Sequence, residues 1–259
     1  MHKTFFTVSV VLLLVAFLMV CPSALAEQTS EDKTWQFNLA PFYLWAVTID
    51  GDVTLGTNTV PVTVPFSDIF DNLEGAFIIH FEAMRKNKWG FLVDVNYLDV
   101  TNGVTLQPGP GPGVQTNVDF NTTLGELSGL YRINRDKHNF DLIAGMRYTK
   151  LKNKVTTLAG PVLADASIDW VDPLIGARWL WDFADEWKLI ARGDIGGFGI
   201  GSDFAWQGLA AVDWQPFKHV SFIGGYRAIG QDYEEGSGSS LFRFDATIHG
   251  PLLGVNFRF

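Results

Sequence analysis

Eight charged residues are the first candidates for chemistry: Glu82, Asp94, Arg147, Arg178, Arg192, Asp194, Asp213 and Arg227. Each stands in an apolar, aromatic-rich stretch, one position out of step with large hydrophobic residues. Charges so placed either pair and fill an interior or line a path for polar solutes. Four histidines follow the amino-terminal region. A hydrolase needs a nucleophile or an activated water beside a positioned base. His80 lies two residues from Glu82 and His249 lies near Asp245, but neither has a serine at a recognisable spacing. His138 and His219 fall in or beside turn-like segments. No catalytic residue is assigned; an enzyme acting on lipid or peptide is kept as an alternative, as is binding through surface loops. His80 with Glu82 lacks the further ligands of a metal site, and the acidic tips Asp50-Gly51-Asp52 and Asp232 to Gly236 lack the EF-hand pattern. No metal or other cofactor is expected.

The stretch GDIGGFGIGSD, Gly193 to Asp203, resembles a phosphate loop only in its glycine content. A dinucleotide loop places its glycines between a strand and a helix. Here strand-like segments lie on both sides, so the glycines mark the outer bend of a hairpin, with Gly199 to Asp203 as its turn.

The charges need elements to hold them. Residues 1–26 read as a cleaved signal peptide: Lys3, an apolar run from Phe5 to Val20, and Ala24-Leu25-Ala26 at the cut. The one cysteine, Cys21, lies inside it. Residues 27–259 then form one domain, with no later apolar run of helical transmembrane length. The formal charge is −9, and an acidic chain is a poor nucleic-acid partner.

From Trp35 the odd positions are Trp35, Phe37, Leu39, Pro41, Tyr43, Trp45, Val47 and Ile49, against Gln36, Asn38 and Ala40. Alternate side chains of a strand face opposite sides, so this is the period of a half-greasy strand. The pattern recurs from Phe77, Trp89, Leu127, Phe140, Ala177, Trp187, Phe204, Val220 and Leu253. The fold expected is all-β: an antiparallel up-and-down transmembrane β-barrel of about ten strands. In the fourth strand Phe120 and Leu124 are out of phase with Leu127 onward, which calls for a β-bulge. Short polar turns at Lys86 to Lys88, Asn134 to His138, Ala184 to Glu186 and Pro216 to Lys218 alternate with longer outer segments at Asp50 to Gly75, Gln107 to Asn117, Lys152 to Ser167 and Gln231 to Ser240. Pro108 to Gly113 alternates proline and glycine and reads as a loop tip. Ser67 to Leu73 reads as a short helix in the first loop.

The segments "APFYLWAVTIDGDV", "DPLIGARW", "GDIGGFGIGSDFAWQ", "GGYR" and "HGPLLGVNFRF" are similar to those of Gram-negative outer-membrane β-barrels of the porin-like class, mostly without an assigned activity. The resemblance covers nearly the whole chain after residue 26. It implies the Gram-negative outer membrane, and the barrel-assembly machinery and periplasmic chaperones during biogenesis. Outer-membrane lipid is the expected partner, and an even strand number puts both termini on the same, periplasmic side. Leu253, Val255, Phe257 and Phe259 resemble the insertion signal read by that machinery, although Leu252 stands where such signals often place a polar residue. The charged positions must point inward, since an arginine in lipid costs about 2–4 kcal/mol at mid-depth. A barrel of this size is only slightly wider than one that side chains can fill. A structural or narrow-channel role is therefore expected, with a charged and largely filled lumen.

Overall fold

A computed structural model describes residues 34–106, 114–157 and 162–259. The signal-peptide region and the Pro108 to Gly113 tip lie outside the described residues. Twelve strands form one sheet: β1 (Trp35–Trp45), β2 (Thr48–Leu55), β3 (Asn58–Val64), β4 (Leu73–Arg85), β5 (Trp89–Leu106), β6 (Val114–Arg135), β7 (His138–Thr157), β8 (Val162–Ala184), β9 (Trp187–Gly197), β10 (Phe204–Phe217), β11 (Val220–Glu235) and β12 (Phe242–Arg258). Helix α1 (Phe66–Asp71) joins β3 to β4. Strands β1 and β4 to β12 pair antiparallel with their neighbours in chain order, and β12 returns to β1. This closes a ten-stranded up-and-down barrel.

Its outer surface follows the strand period. Leu127, Leu142, Met146, Ile175 and Leu253 are exposed apolar residues on the outer face. Near the short turns, aromatic rings stack along strands, Trp35 on Phe37 and Trp179 on Trp181, and between neighbouring strands, Phe37 on Phe81, Phe140 on Trp179 and Trp187 on Trp214. An apolar wall with an aromatic girdle is the surface a barrel presents to lipid. The ends of β1 and β12 lie at this same end, joined by two hydrogen bonds between the backbones of Phe37 and Phe259.

Three expectations change. First, Trp45, Val47 and Ile49 face inward, and Leu44 faces out. In the β1–β12 ladder Leu39 pairs with Phe257 but Phe42 pairs with Val255, so β1 holds one extra residue at Ala40-Pro41. Proline has no N–H to give the ladder, and the bulge there exchanges the two faces. Trp45 is 5% exposed and Leu44 52%. Second, β6 has no bulge. It pairs with β5 without a break from Val114 to Tyr131. Leu124 is an inward core residue and Leu127 an outward one. Third, most of the outer segments are strand. β7 reaches Thr157 and β11 reaches Glu235. The first loop holds the β2–β3 hairpin, so Pro61 to Val64 belong to β3, before helix α1.

The hairpin changes the wall. Strand β2 continues the line of β1 and pairs with the outer half of β12, from His249 to Phe242. Strand β3 pairs with β2. The β1–β4 ladder runs only from Trp35–Arg85 to Ala40–His80. Beyond His80, β4 pairs with β5 alone, and α1 links β3 to β4 with Ile69 buried.

Candidate functional site: the charged interior

All eight candidate charges lie on the inner face; seven are buried and Arg192 is partly buried. They form layers across the lumen. Nearer the turns, Arg178 donates to Glu82 at 2.7 Å and to Asp141 at 2.6 Å. Arg132 grips the same Asp141 with Nε and Nη2, at 2.7 and 2.9 Å, and lies 3.7 Å from Glu82. Two cations thus share two carboxylates.

The middle layer is larger. Arg147 reaches Asp194 at 2.8 Å and Glu126 at 3.3 Å. Arg192 reaches the same two, Glu126 at 2.5 Å and Asp194 at 2.7 Å. Gln207 Nε2 donates to Asp194, and its Oε1 accepts from Arg227. Arg227 then bonds Asp94 at 3.0 Å and lies over the Trp45 ring, 5.0 Å from its centroid. His80 completes the far side, 3.0 Å from Asp94. The close approach of β8 and β9 here depends on Gly176: a Cβ on it would lie 2.4 Å from that of Asp194.

Both layers balance their charge. Arg132 and Arg178 offset Glu82 and Asp141; Arg147, Arg192 and Arg227 offset Glu126, Asp194 and Asp94. Balance matters because a lone buried charge is costly. Asp213 is inward and buried but joins neither layer. It pairs with Arg258 near the turn end, where Gln215 also bonds Arg258. An apolar group of Met84, Leu92, Leu130, Ile143 and Leu174 also fills the interior.

Sequence reasoning did not single out Glu126, Asp141 and Arg132 as charge partners. They lie on the polar face of strands already recognised, so strand parity alone could have found them. Asp172 was missed altogether. It accepts four hydrogen bonds, from Trp170 Nε1, Gln231 Nε2, and the backbone N–H and hydroxyl of Ser202. Ser202 belongs to the glycine-rich turn, where Gly197, Phe198 and Gly199 have positive φ. Gly201 lies so close to β8 that a Cβ would meet the Val171 carbonyl oxygen at 2.4 Å. The turn is folded onto β8 and fastened by Asp172. That is a structural use of glycine.

Leu253, Val255 and Phe257 occupy alternating positions of β12 in the register of its exposed Leu253, and Phe259 follows just beyond the strand end. Leu252 points the other way, fully buried in the core.

Of the histidines, His80 belongs to the charge layer. His249 lies on the outer side, bonded to Asp50 at 2.9 Å and to the Tyr226 hydroxyl at 2.6 Å. His138 stacks on Trp179 and Trp181, and His219 bonds the Arg258 carbonyl. Among the described residues, no three His, Cys, Asp or Glu side chains group as a metal site.

No family model matches the chain, and no curated protein matches it. The fold has solved counterparts. The outer membrane protease OmpT from Escherichia coli superposes with a TM-score of 0.54 at 8% identity, over 90% of this chain and 99% of that one. The translocator domain of autotransporter NalP from Neisseria meningitidis gives 0.49 at 12% identity, over 95% of this chain and 96% of that one. The attachment invasion locus protein Ail of Yersinia pestis gives 0.40 at 12% identity, over 87% and 99%. The likeness to OmpT is one of fold: a closed antiparallel barrel of the outer-membrane type.

Proposed function

We propose that the chain is an integral outer-membrane barrel with a shut lumen, acting through its wall and outer rim rather than as an open pore. The observation that carries this reading is Arg147, 2% exposed and tied at once to Glu126 on β6 and Asp194 on β9. The network runs on through Gln207 and Arg227 to Asp94 on β5, so paired side chains reach across the lumen. The girdle and apolar wall support outer-membrane lipid as the partner. The short turns lie at the end where β1 and β12 meet, which suits periplasmic termini and outward β2–β3, α1 and long strand ends. Leu253, Val255, Phe257 and Phe259 are assigned as the signal read by the assembly machinery, with periplasmic chaperones guarding the unfolded chain.

Planar-bilayer recording tests the shut lumen. Purified folded protein should give no stable current steps, or only small ones. Large stable conductance from the wild-type protein would overturn the reading.

A further inference from the structure

Above the Ala40–His80 pair the barrel wall has a seam. The outer half of β4 lacks β1 as a neighbour, and β3 turns its second edge toward the same opening. Behind the seam lies a cavity of about 210 Å³, lined almost wholly by apolar groups. Ile69 of α1 and Leu124 of β6 are buried in its lining; Leu44 and Phe70 are exposed members of the same lining. Leu44 pairs in register with Leu253, an exposed residue of the lipid-facing wall. The seam therefore opens at the depth of hydrocarbon.

Two polar groups break the apolar lining. Asn96 Oδ1 and Thr122 Oγ1 are buried without a hydrogen-bond partner, on side chains of residues only 7% and 5% exposed. They are diagonal neighbours on the inner face, since Asn96 pairs with Leu124 and Leu98 with Thr122. The orientation of the Asn96 amide is fixed. Its Nδ2 donates to Asp94 Oδ1 at 2.5 Å, and a carboxylate only accepts, so the carbonyl oxygen is the amide atom left unmatched, on a residue that lines the cavity. Leaving such groups unmatched is costly, on the order of 1–3 kcal/mol each. A ligand that donates to Asn96 and exchanges a hydrogen bond with Thr122 removes that cost. The charge layer containing Asp94 and Arg227 lies beneath, so the cavity ends there.

We propose that this cavity binds one hydrocarbon chain from the surrounding leaflet, carrying an uncharged hydroxyl or amide group that Asn96 and Thr122 recognise. The chain enters sideways through the β1–β4 seam, past Leu44 and Phe70. The proposal rests on the reading that the barrel sits in lipid. Its specific content is the chemistry of the pocket.

The test uses the folded barrel in phosphatidylcholine nanodiscs and a dodecyl alcohol bearing a terminal diazirine. After photolysis, adducts are mapped by peptide mass spectrometry. The expected adducts lie in α1 and the adjoining parts of β4 and β5. Dodecan-1-ol should compete about tenfold better than dodecane, as one buried hydrogen bond implies. Asn96→Leu with Thr122→Val should abolish that preference while leaving adducts in place. Phe70→Asp, at an exposed rim position, should reduce labelling with little risk to folding, which gel mobility of unheated protein checks. Adducts spread evenly over the lipid-facing wall, or equal competition by alcohol and alkane, would overturn the proposal. Failure of the protein to enter nanodiscs at all would instead sink the membrane reading on which it rests.

Discussion

Arg147 on β7 and Asp194 on β9 meet at 2.8 Å although a whole strand, β8, lies between theirs. Their bond is made across the curve of the barrel, so it reports on the interior rather than on one hairpin. Replacing Arg147 with methionine keeps the bulk and strands the charge of Asp194 and Glu126 beside Arg192 alone. Breaking a buried pair in this way costs about 3–5 kcal/mol. Urea denaturation of the reconstituted barrel should show a loss of that order. The double variant Arg147→Met, Asp194→Asn should lose less than the two single losses combined, because the stranded charge is gone.

The same layers should decide conductance. Arg147→Ala with Arg192→Ala removes two guanidiniums that hold Glu126 and Asp194. If the pairs are what shuts the lumen, this variant should show cation-selective steps in bilayers where the wild type shows none. A silent variant with normal folding would mean that the apolar packing around Leu92 and Leu174 shuts it instead.

Deletion of Pro41 should be far worse than any single replacement there. It removes the extra residue of the β1 bulge, so that Trp45, Val47 and Ile49 turn toward lipid and Leu44 turns inward. Refolding into detergent, followed by gel mobility, should show most of the protein unfolded. Pro41→Ala keeps the residue count and should fold.

Gly201→Ala sets a methyl group against the Val171 carbonyl oxygen. The turn must then lift from β8, and Ser202 loses its two bonds to Asp172. Amide exchange should rise in the turn and in the adjacent part of β8, with the turn-end aromatic girdle unchanged. Gly199→Ala, where a Cβ meets nothing within 4 Å, should disturb the contacts less and act only through its positive φ of 72°.

Tyr233 lies toward the outer end of β11, at the level of the partly exposed Asp232–Arg243 ion pair above the apolar wall, and stacks on Trp170 with ring centroids 4.1 Å apart. Burial, then the hydrogen bond to Glu235 and the charge of that carboxylate, push its phenol from 10.0 up to about 12. The folded value is raised, so the stabilisation is fully present below the unfolded phenol range. It fades as the pH climbs from about 10 through about 12. Absorbance titration of wild type against Tyr233→Phe should assign this late-titrating phenol.

Strand parity made most of the interior legible. Glu82, Asp94, Arg178 and Arg227 could face only inward, because the residues on either side of each were greasy. Their partners were equally visible but not ranked, since parity gives the face of Glu126 or Asp141 and not its distance from an arginine several strands away. Parity also failed where the count was broken. One extra residue at Ala40-Pro41 reversed the faces of all that followed in β1, and an alternating run reads the same in either phase. Conversely, Leu124 and Leu127 looked out of phase because both are leucines; one fills the core and the other meets lipid. The β2–β3 hairpin was hidden inside Asp50 to Gly75, which reads as one outer loop. The seam it creates could not be read from any single segment, because it is a place where two strands stop pairing.

The strands that complete the circle, β1 and β12, are also the first and last of the described sheet. Trp45 Nε1 donates to the Gly250 carbonyl across 205 residues of sequence. Every hairpin between them can form locally, but the cylinder cannot shut until both extremities are present and aligned. Such non-local closure is slow. Until it occurs, two unpaired strand edges face whatever surrounds the chain, and the Phe37–Phe259 backbone pair is the latch whose engagement would end that exposure.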